Sequence, residues 1–306
     1  NIAENYKVTN EIISNIEPDF IFHLAAQPLV SVSYNNPLGT LKTNILGTAN
    51  ILNSAKGQKK RVISIIVTSD KCYDNLELKR GYSENDILGG KDIYSGSKGA
   101  AELVIKSFFH SFFKDNEFKS SVASARAGNV IGGGDWGKDR IVPDAMISWN
   151  KKEKLSIRNP ISTRPWQHVL EPLSGYLTLA NKLYSDNNLN GENFNFGPDE
   201  TSNKTVKNLI DGLSKRWGYE KEEDSYSIKH TDDFHEAGLL QLDCTKAKNL
   251  LDWQPNLSFD QMINFSSDWY KEFYTSNDIE EMLMISEDQI KSYVDLASKK
   301  NYSWVI

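Results

Sequence analysis

The sequence predicts an α/β protein built on a doubly wound parallel sheet, with a smaller α/β part completing it. Three observations predict this. Short apolar runs alternate with stretches of helical periodicity through the first half of the chain. Those runs are near-continuous in apolar residues rather than alternating, the pattern of strands covered on both faces. Each run also ends in small or polar residues, Ala25-Ala26, Ser69-Asp70-Lys71 and Gly128-Asn129, and in open parallel sheets ligands sit beyond the carboxyl ends of the strands.

The elements follow in order. Val8, Ile12, Ile13 and Ile16 recur at helical spacing and Pro18 ends that helix. Asp19 to Ala26 reads as a strand buried on both faces, its small final residues allowing close approach to the backbone. A long helix through Leu41, Ile45, Leu46, Ala49, Ile51 and Leu52 comes next, and Arg61 to Thr68 is a β-branched central strand. A loop from Cys72 to Lys91 leads to a helix at Tyr94, and Ser121 to Ala127 forms a further strand running into Gly128-Asn129. After Ile141-Val142-Pro143 the alternation fades; a helix begins near Pro172, and Phe194 to Pro198, two or three helices and a charged tail region from Asp278 follow. The expected division gives residues 1–145 and 165–190 to the sheet-bearing domain and 146–164 and 191–306 to the smaller one.

Composition narrows the function. The 306 residues, 39% hydrophobic and 11% aromatic, are enough to bury one large core or two unequal ones. A net charge of −6 and a pI near 5.5 argue against a nucleic-acid partner. Lys59-Lys60-Arg61 is short and precedes a strand, where it solvates a turn. Cys72 and Cys244 stand far apart with no metal-ligand spacing, so neither a disulfide framework nor a metal site is expected, and a reducing cytoplasm fits. No apolar run suits a membrane span and the first residues do not resemble a signal peptide.

The chemistry concentrates at Tyr94-Ser95-Gly96-Ser97-Lys98 and Thr68-Ser69-Asp70-Lys71. Four residues apart on a helix, Tyr94 and Lys98 share one face. A cation beside a phenol favours the phenolate and moves it towards a pKa at which it can accept a proton near neutral pH. The spacing alone is common on exposed helices, where it means a surface Tyr over a solvated Lys. The second polar cluster, delivered by the preceding strand, raises it above that reading.

Together these blocks resemble the extended branch of the short-chain dehydrogenase/reductase family, from His23-Leu24-Ala25-Ala26-Gln27 to Leu251-Asp252-Trp253-Gln254-Pro255. Thr68 to Tyr73, Gly89 to Lys98, Ala127 to Trp136 and Arg164 to Pro172 are similar, in that order, to its dehydratases acting on CDP-glucose, with Ile93 standing where those enzymes usually have Pro. The resemblance implies a Rossmann-type NAD-binding domain over 1–145 and 165–190 and a nucleotide-sugar-binding domain in the remainder. A dinucleotide fold opens on a strand, a glycine-rich turn and a downstream acidic residue. This chain opens in the helix before the His23 strand, so the expectation is an incomplete chain lacking a first βαβ unit and the strand after it; a short form unable to hold NAD is the other reading.

The implied reaction oxidises a sugar at C4, eliminates water across C5 and C6 and reduces C6, returning NAD unchanged. Tyr94 is then the base at the C4 hydroxyl. Lys98 lowers its pKa and binds the nicotinamide ribose, and Ser69 hydrogen-bonds the C4 oxygen. Asp70 would protonate the leaving C6 hydroxyl, and Lys71 would act either as a neutral base at C5 or as a charge beside the enolate. Ala25, Ala26, Gln27, Asn44, Thr68 and Ala127 are expected around the cofactor, together with Tyr94 and Lys98. Asn129, Arg158, Arg164 and His168 are expected around the substrate, although a structural ion pair for Arg158, a turn role for Asn129 and a structural role for His168 remain open. Trp136 and Trp166 read as packing residues. The resemblance also implies a homodimer through the helices after Leu38 and around Tyr94, and a place in bacterial deoxysugar and surface-polysaccharide biosynthesis. A nucleotide-sugar 4-epimerase, which needs no Asp70-Lys71 pair, and a catalytically silent fragment are the alternatives.

Overall fold

A computed structural model describes residues 2, 5–115, 120–199, 204–229, 239–276, 278–302 and 304–305. Four strands form its main sheet: β1 (Phe20–His23), β2 (Ile63–Val67), β3 (Ser121–Ala127) and β4 (Asn193–Phe196), in the order β1-β2-β3-β4. All are parallel, with Phe20 opposite Ile63, Val67 opposite Ala125, and Ala127 opposite Phe196. The carboxyl ends of β1, β2 and β3 therefore lie along one edge, as the sequence predicts.

Side-chain alternation divides the sheet into two covered faces. Ile63, Ile65, Ala123, Ala125, Phe194 and Phe196 pack with Tyr176, Leu179 and Leu183 of the Leu170–Ser185 helix and with Trp253 and Tyr293. Ile66 and Val122 point the other way, towards Leu52, Ile105 and Phe113 on the Gly47–Lys56 and Ile93–Phe108 helices and the turn that follows. A second core joins Val142, Trp149, Trp166, Leu209, Leu213, Met262 and Tyr270.

Two expectations change, and a third element gains its conformation. The sequence predicts β1 covered on both faces, but it is the sheet edge among the described residues, and Phe20, Phe22 and Leu24 are exposed. The boundary at 191 separates β4 from the sheet it completes, because Ala125 pairs with Phe194. The charged tail from Asp278 is a helix, Ile279–Ser298, whose charges line the outside while Tyr293 and Ala297 are buried. Tyr293 donates to Glu171, whose carboxylate also accepts from the backbone of Asn256 and Leu257.

His168, on the short strand Gln167–His168, is 2% exposed, with its ring edge-on to Phe265. Its Nε2 has no partner among the described residues, and burial pushes its pKa down to about 4. The unfolded chain therefore takes up this proton first as pH falls below the ordinary value of 6.5, so stability tied to neutral His168 is lost between there and about 4. Over that window the loss is on the order of 3 kcal/mol. Asp70, Glu84 and Glu171, held high by burial, act in the opposite direction. In denaturant titrations from pH 7 to 4.5, His168→Phe is expected to lose stability less steeply than wild type. Parallel slopes would remove this role for His168.

Candidate active site

β2 runs out through Thr68 into Ser69, which caps a single 3-10 turn, Asp70–Cys72, by accepting from the Lys71 amide at 3.2 Å. The turn leaves Asp70 2% exposed. Its Oδ1 accepts from Ser69 Oγ at 2.9 Å, and its Oδ2 has no partner among the described residues. Burial raises the Asp70 pKa, against the opposing pull of Lys71, Ser69 and Arg164. The carboxyl fits here because residue 128 is glycine: a Cβ at Gly128 would run into the Asp70 carboxyl. Two strand ends are thereby brought into contact.

Asp92 caps the Ile93–Phe108 helix by accepting from the Ser95 amide at 3.0 Å. That start places Tyr94, Lys98 and Glu102 in buried positions at successive four-residue steps. The Ser69 hydroxyl interacts with both the Asp70 carboxyl and the Tyr94 phenol. Lys71 Nζ lies 5.7 Å from the Tyr94 ring centroid. Ser69, Asp70, Lys71 and Tyr94 are therefore one cluster.

The electrostatics differ from the sequence expectation in one respect. Burial pushes the Tyr94 phenol up to about 12, and the groups that oppose this are Ser69 and Arg140, while Asp70 and Asp92 reinforce it. Lys98 is not among the principal influences on Tyr94 in this structure. Burial lowers the Lys98 ammonium to about 8, and its charge acts on His23, Cys72 and Glu102. No described residue accepts a hydrogen bond from Lys98.

The residues expected around a cofactor separate into two groups. At the end of β1, Ala25 is exposed and Ala26 half-buried. Asn44 holds the following turn, accepting from the Gln27 amide at 2.8 Å and donating to the Gln27 carbonyl at 3.1 Å and to Ser97 Oγ at 2.8 Å. Asn44 is in a π-helical turn, Lys42–Leu46, that interrupts the long helix expected there; one extra residue per turn is a recurrent feature of functional sites. Thr68 and Ala127, by contrast, turn their side chains inward: the Thr68 hydroxyl donates to Glu102 and Ala127 packs against the Phe196 core.

Of the residues expected around substrate, Arg164 bears electrostatically on Asp70 and Asn129 follows Gly128 with a left-handed φ of 49°. Asn is among the few residues other than glycine that adopt this conformation readily, as in turns; the Asn129 carbonyl accepts from Gln167 at 3.3 Å. Arg158 is exposed after the Leu155–Ile157 strand and its charge acts on Asp144, and His168 is buried as described. Trp166 is buried and Trp136 packs against Tyr270 and Phe273, both as packing residues.

Sequence reading missed Glu102, Arg126, Arg140 and the Gly128 cradle. The first two carried a signal: Glu102 continues the four-residue spacing from Tyr94 and Lys98, and Arg126 interrupts a strand of small and apolar residues. Among the described residues no group of three His, Cys, Asp or Glu side chains could hold a metal ion, and no helix is long and apolar enough to cross a membrane.

A parallel sheet with Tyr and Lys on the helix beside its carboxyl edge is the architecture of the extended short-chain dehydrogenase/reductases. A model of the family described as GDP-mannose 4,6 dehydratase matches residues 3–265, and the chain belongs to that family. It is 42% identical over 303 residues to a CDP-glucose 4,6-dehydratase of Salmonella typhimurium, covering 97% of this chain and 82% of that protein. In fold it is similar to a UDP-glucose 4-epimerase of Thermotoga maritima, with a TM-score of 0.75, 23% identity and 89% and 83% of the two chains covered. A dTDP-glucose 4,6-dehydratase of Bacillus anthracis, solved with NAD, is also similar in fold, with a TM-score of 0.71, 20% identity and 89% and 78% covered.

Replacing Gly128 with Ala would push the Asp70 carboxyl out of its cradle. Gly128→Ala is expected to lower turnover at least ~10-fold while the protein stays folded. Full activity in a folded Gly128→Ala protein would show that the position of Asp70 is not critical.

Proposed function

We propose that this protein is an NAD-dependent dehydratase that converts CDP-glucose to CDP-4-dehydro-6-deoxyglucose. The observation that carries the reading is the buried Asp70 carboxyl, raised in pKa and hydrogen-bonded to the serine beside Tyr94. A sugar oxidised and reduced at C4 alone has no use for a second proton donor, whereas elimination across C5 and C6 requires one. The 42% identity to a CDP-glucose dehydratase supports the choice of nucleotide.

Two features fit NAD: the buried Lys98 ammonium, which meets no described acceptor, and the short side chains of Ala25-Ala26 at the end of β1. The former suits a ribose diol, and the latter a flat ring lying close to the backbone. When bound, NAD supplies two-electron oxidation at C4 and the matching reduction at C6. Oxidation at C4 makes the C5 proton acidic by placing it beside a ketone. Ser69 orients the C4 oxygen and Tyr94, in its phenolate form, accepts the C4 hydroxyl proton; Asp70 in its neutral form donates to the departing C6 hydroxyl, and Lys71, as a neutral amine, takes the proton from C5 and returns one there when C6 is reduced. Asn129 and Arg164 are the residues assigned here to the substrate's sugar and diphosphate, and the bearing of Arg164 on Asp70 supports this. The sheet domain holds the cofactor and the segments packed in the second core cover the nucleotide sugar. The same reading includes a homodimer through the helices at Leu38 and Tyr94, whose outer faces expose Leu38, Leu46 and Leu103.

Mass spectrometry of CDP-glucose incubated with NAD+ and protein is expected to show loss of one water and, in D2O, one deuterium gained at C5. Asp70→Asn is expected to reduce dehydration by about 10²-fold or more, and Tyr94→Phe to abolish it. Unchanged CDP-glucose alongside dehydration of another nucleotide sugar would overturn the substrate assignment. Interconversion at C4 without water loss, unaffected by Asp70→Asn, would replace the dehydratase with an epimerase.

In light scattering the protein is expected to have the mass of a dimer, and Leu103→Glu that of a monomer. A wild-type monomer would refute the pairing.

A further inference from the structure

The site rests on a charged pair that the reaction itself does not use. Glu102 is 4% exposed and Arg126 1%, and Arg126 Nη2 donates to Glu102 Oε2 at 2.8 Å. Arg126 lies on β3 two residues before Gly128, and Glu102 lies one helical turn beyond Lys98. Glu102 Oε2 also accepts from Ser124 at 2.9 Å, and Glu102 Oε1 accepts from Thr68, the residue before Ser69. On its other side Arg126 Nη1 donates to the Tyr73 hydroxyl at 2.8 Å and the Glu84 carbonyl at 3.2 Å, and Tyr73 donates to Asn195 of β4 at 2.7 Å. One carboxylate thus joins the end of β2, the end of β3 and the helix bearing Tyr94 and Lys98.

We propose that Glu102 is a positioning residue of the active site, supplying the negative charge against which the Lys98 ammonium is buried and fixing the strand end that carries Ser69 and Asp70. Among the described residues Lys98 has few other neighbours to hold its charge. The groups that bear on it are His23 from β1, Cys72 from the turn after β2, and Glu102 from its own helix. His23 is a neutral imidazole. Its Nε2 is 3.3 Å from Thr48 Oγ1, whose only proton goes to the Asn44 carbonyl at 2.8 Å, so Nε2 carries the hydrogen. Burial and the Lys98 charge together lower its pKa to about 4. Burial keeps Cys72 a neutral thiol. Glu102 is held ionised by the neighbouring Arg126 and its three hydrogen bonds, against the cost of burial. At neutral pH it is therefore the one full negative charge among these neighbours, and it is shared with Arg126 of β3, 2.8 Å from its Oε2.

The proposal rests on the dehydratase reading for its consequence but is measured without it. In ligand-free full-length protein the 13Cε resonance of Lys98, assigned by Lys98→Arg, is followed with pH. The wild-type midpoint is expected near 8. In Glu102→Gln, which keeps hydrogen-bonding atoms and removes the charge, it is expected to fall to roughly 7, and in Glu102→Asp to return towards the wild-type value. The pH profile of CDP-glucose dehydration should move the same way. A midpoint that stays at the wild-type value in folded Glu102→Gln overturns the proposal. Should that variant not fold, Glu102→Gln combined with Arg126→Gln removes the pair as a whole; because loss of the Arg126 charge partly offsets loss of the Glu102 charge, a smaller fall is expected, and no fall overturns the proposal. A wild-type protein that leaves CDP-glucose unchanged would refute the dehydratase reading and leave the titration standing as its own result.

Discussion

The pairing of Glu102 with Arg126 is the constraint on which the site depends. Neither charge is tolerable alone in this interior: removing one partner of a buried pair strands the other, at a cost of about 3–5 kcal/mol. The pair needs a sheet face and a helix face packed closely enough to exclude water and in a register that puts Arg126 opposite Glu102. The same register sets Tyr94 and Lys98 beyond the strand ends, because they occupy the preceding turns of that helix. Hydrogen bonds from Thr68 and Ser124 extend the constraint to β2 and β3.

Burial then determines what the titratable groups can do. It holds Asp70 towards its neutral form, the state able to donate a proton, and lowers Lys98 towards neutrality. It also works against the Tyr94 phenolate, opposed by Ser69 and Arg140. Arg140 is held by Asp135 at 2.8 Å, and the Asp135 carbonyl accepts from Tyr270 at 2.7 Å, so the second core reaches the phenol through this loop. The two cores therefore meet functionally at Tyr94, although each is packed around its own residues.

Much of this was legible in the chain. Apolar runs ending in small or polar residues identify β1, β2 and β3 and the edge to which they deliver Ala25, Ser69 and Gly128, because a parallel strand must emerge at its carboxyl end. The four-residue spacing identifies the face shared by Tyr94 and Lys98. Less was legible where the outcome depends on distant partners. β1 has the composition of an interior strand yet is the edge among the described residues, since burial depends on which elements flank it. The π turn at Asn44 has no local sequence signature; it is visible only through the Gln27 and Ser97 groups that the displaced side chain reaches.

The sequence by itself determined the alternation of strands and helices, the presence of a carboxyl, a phenol and an ammonium, and their order along the chain. These are local properties, set by side-chain chemistry and by the periods of helix and strand. Tertiary structure alone decided which charges act on which groups: that burial lowers Lys98 while Cys72 and Glu102 pull the other way, that Tyr94 answers to Arg140 and Ser69, and that the Asp70 carboxyl lies where Gly128 has no side chain. Coulomb energy and desolvation depend on distance and surroundings in space, and neither is written in the spacing of residues along the chain.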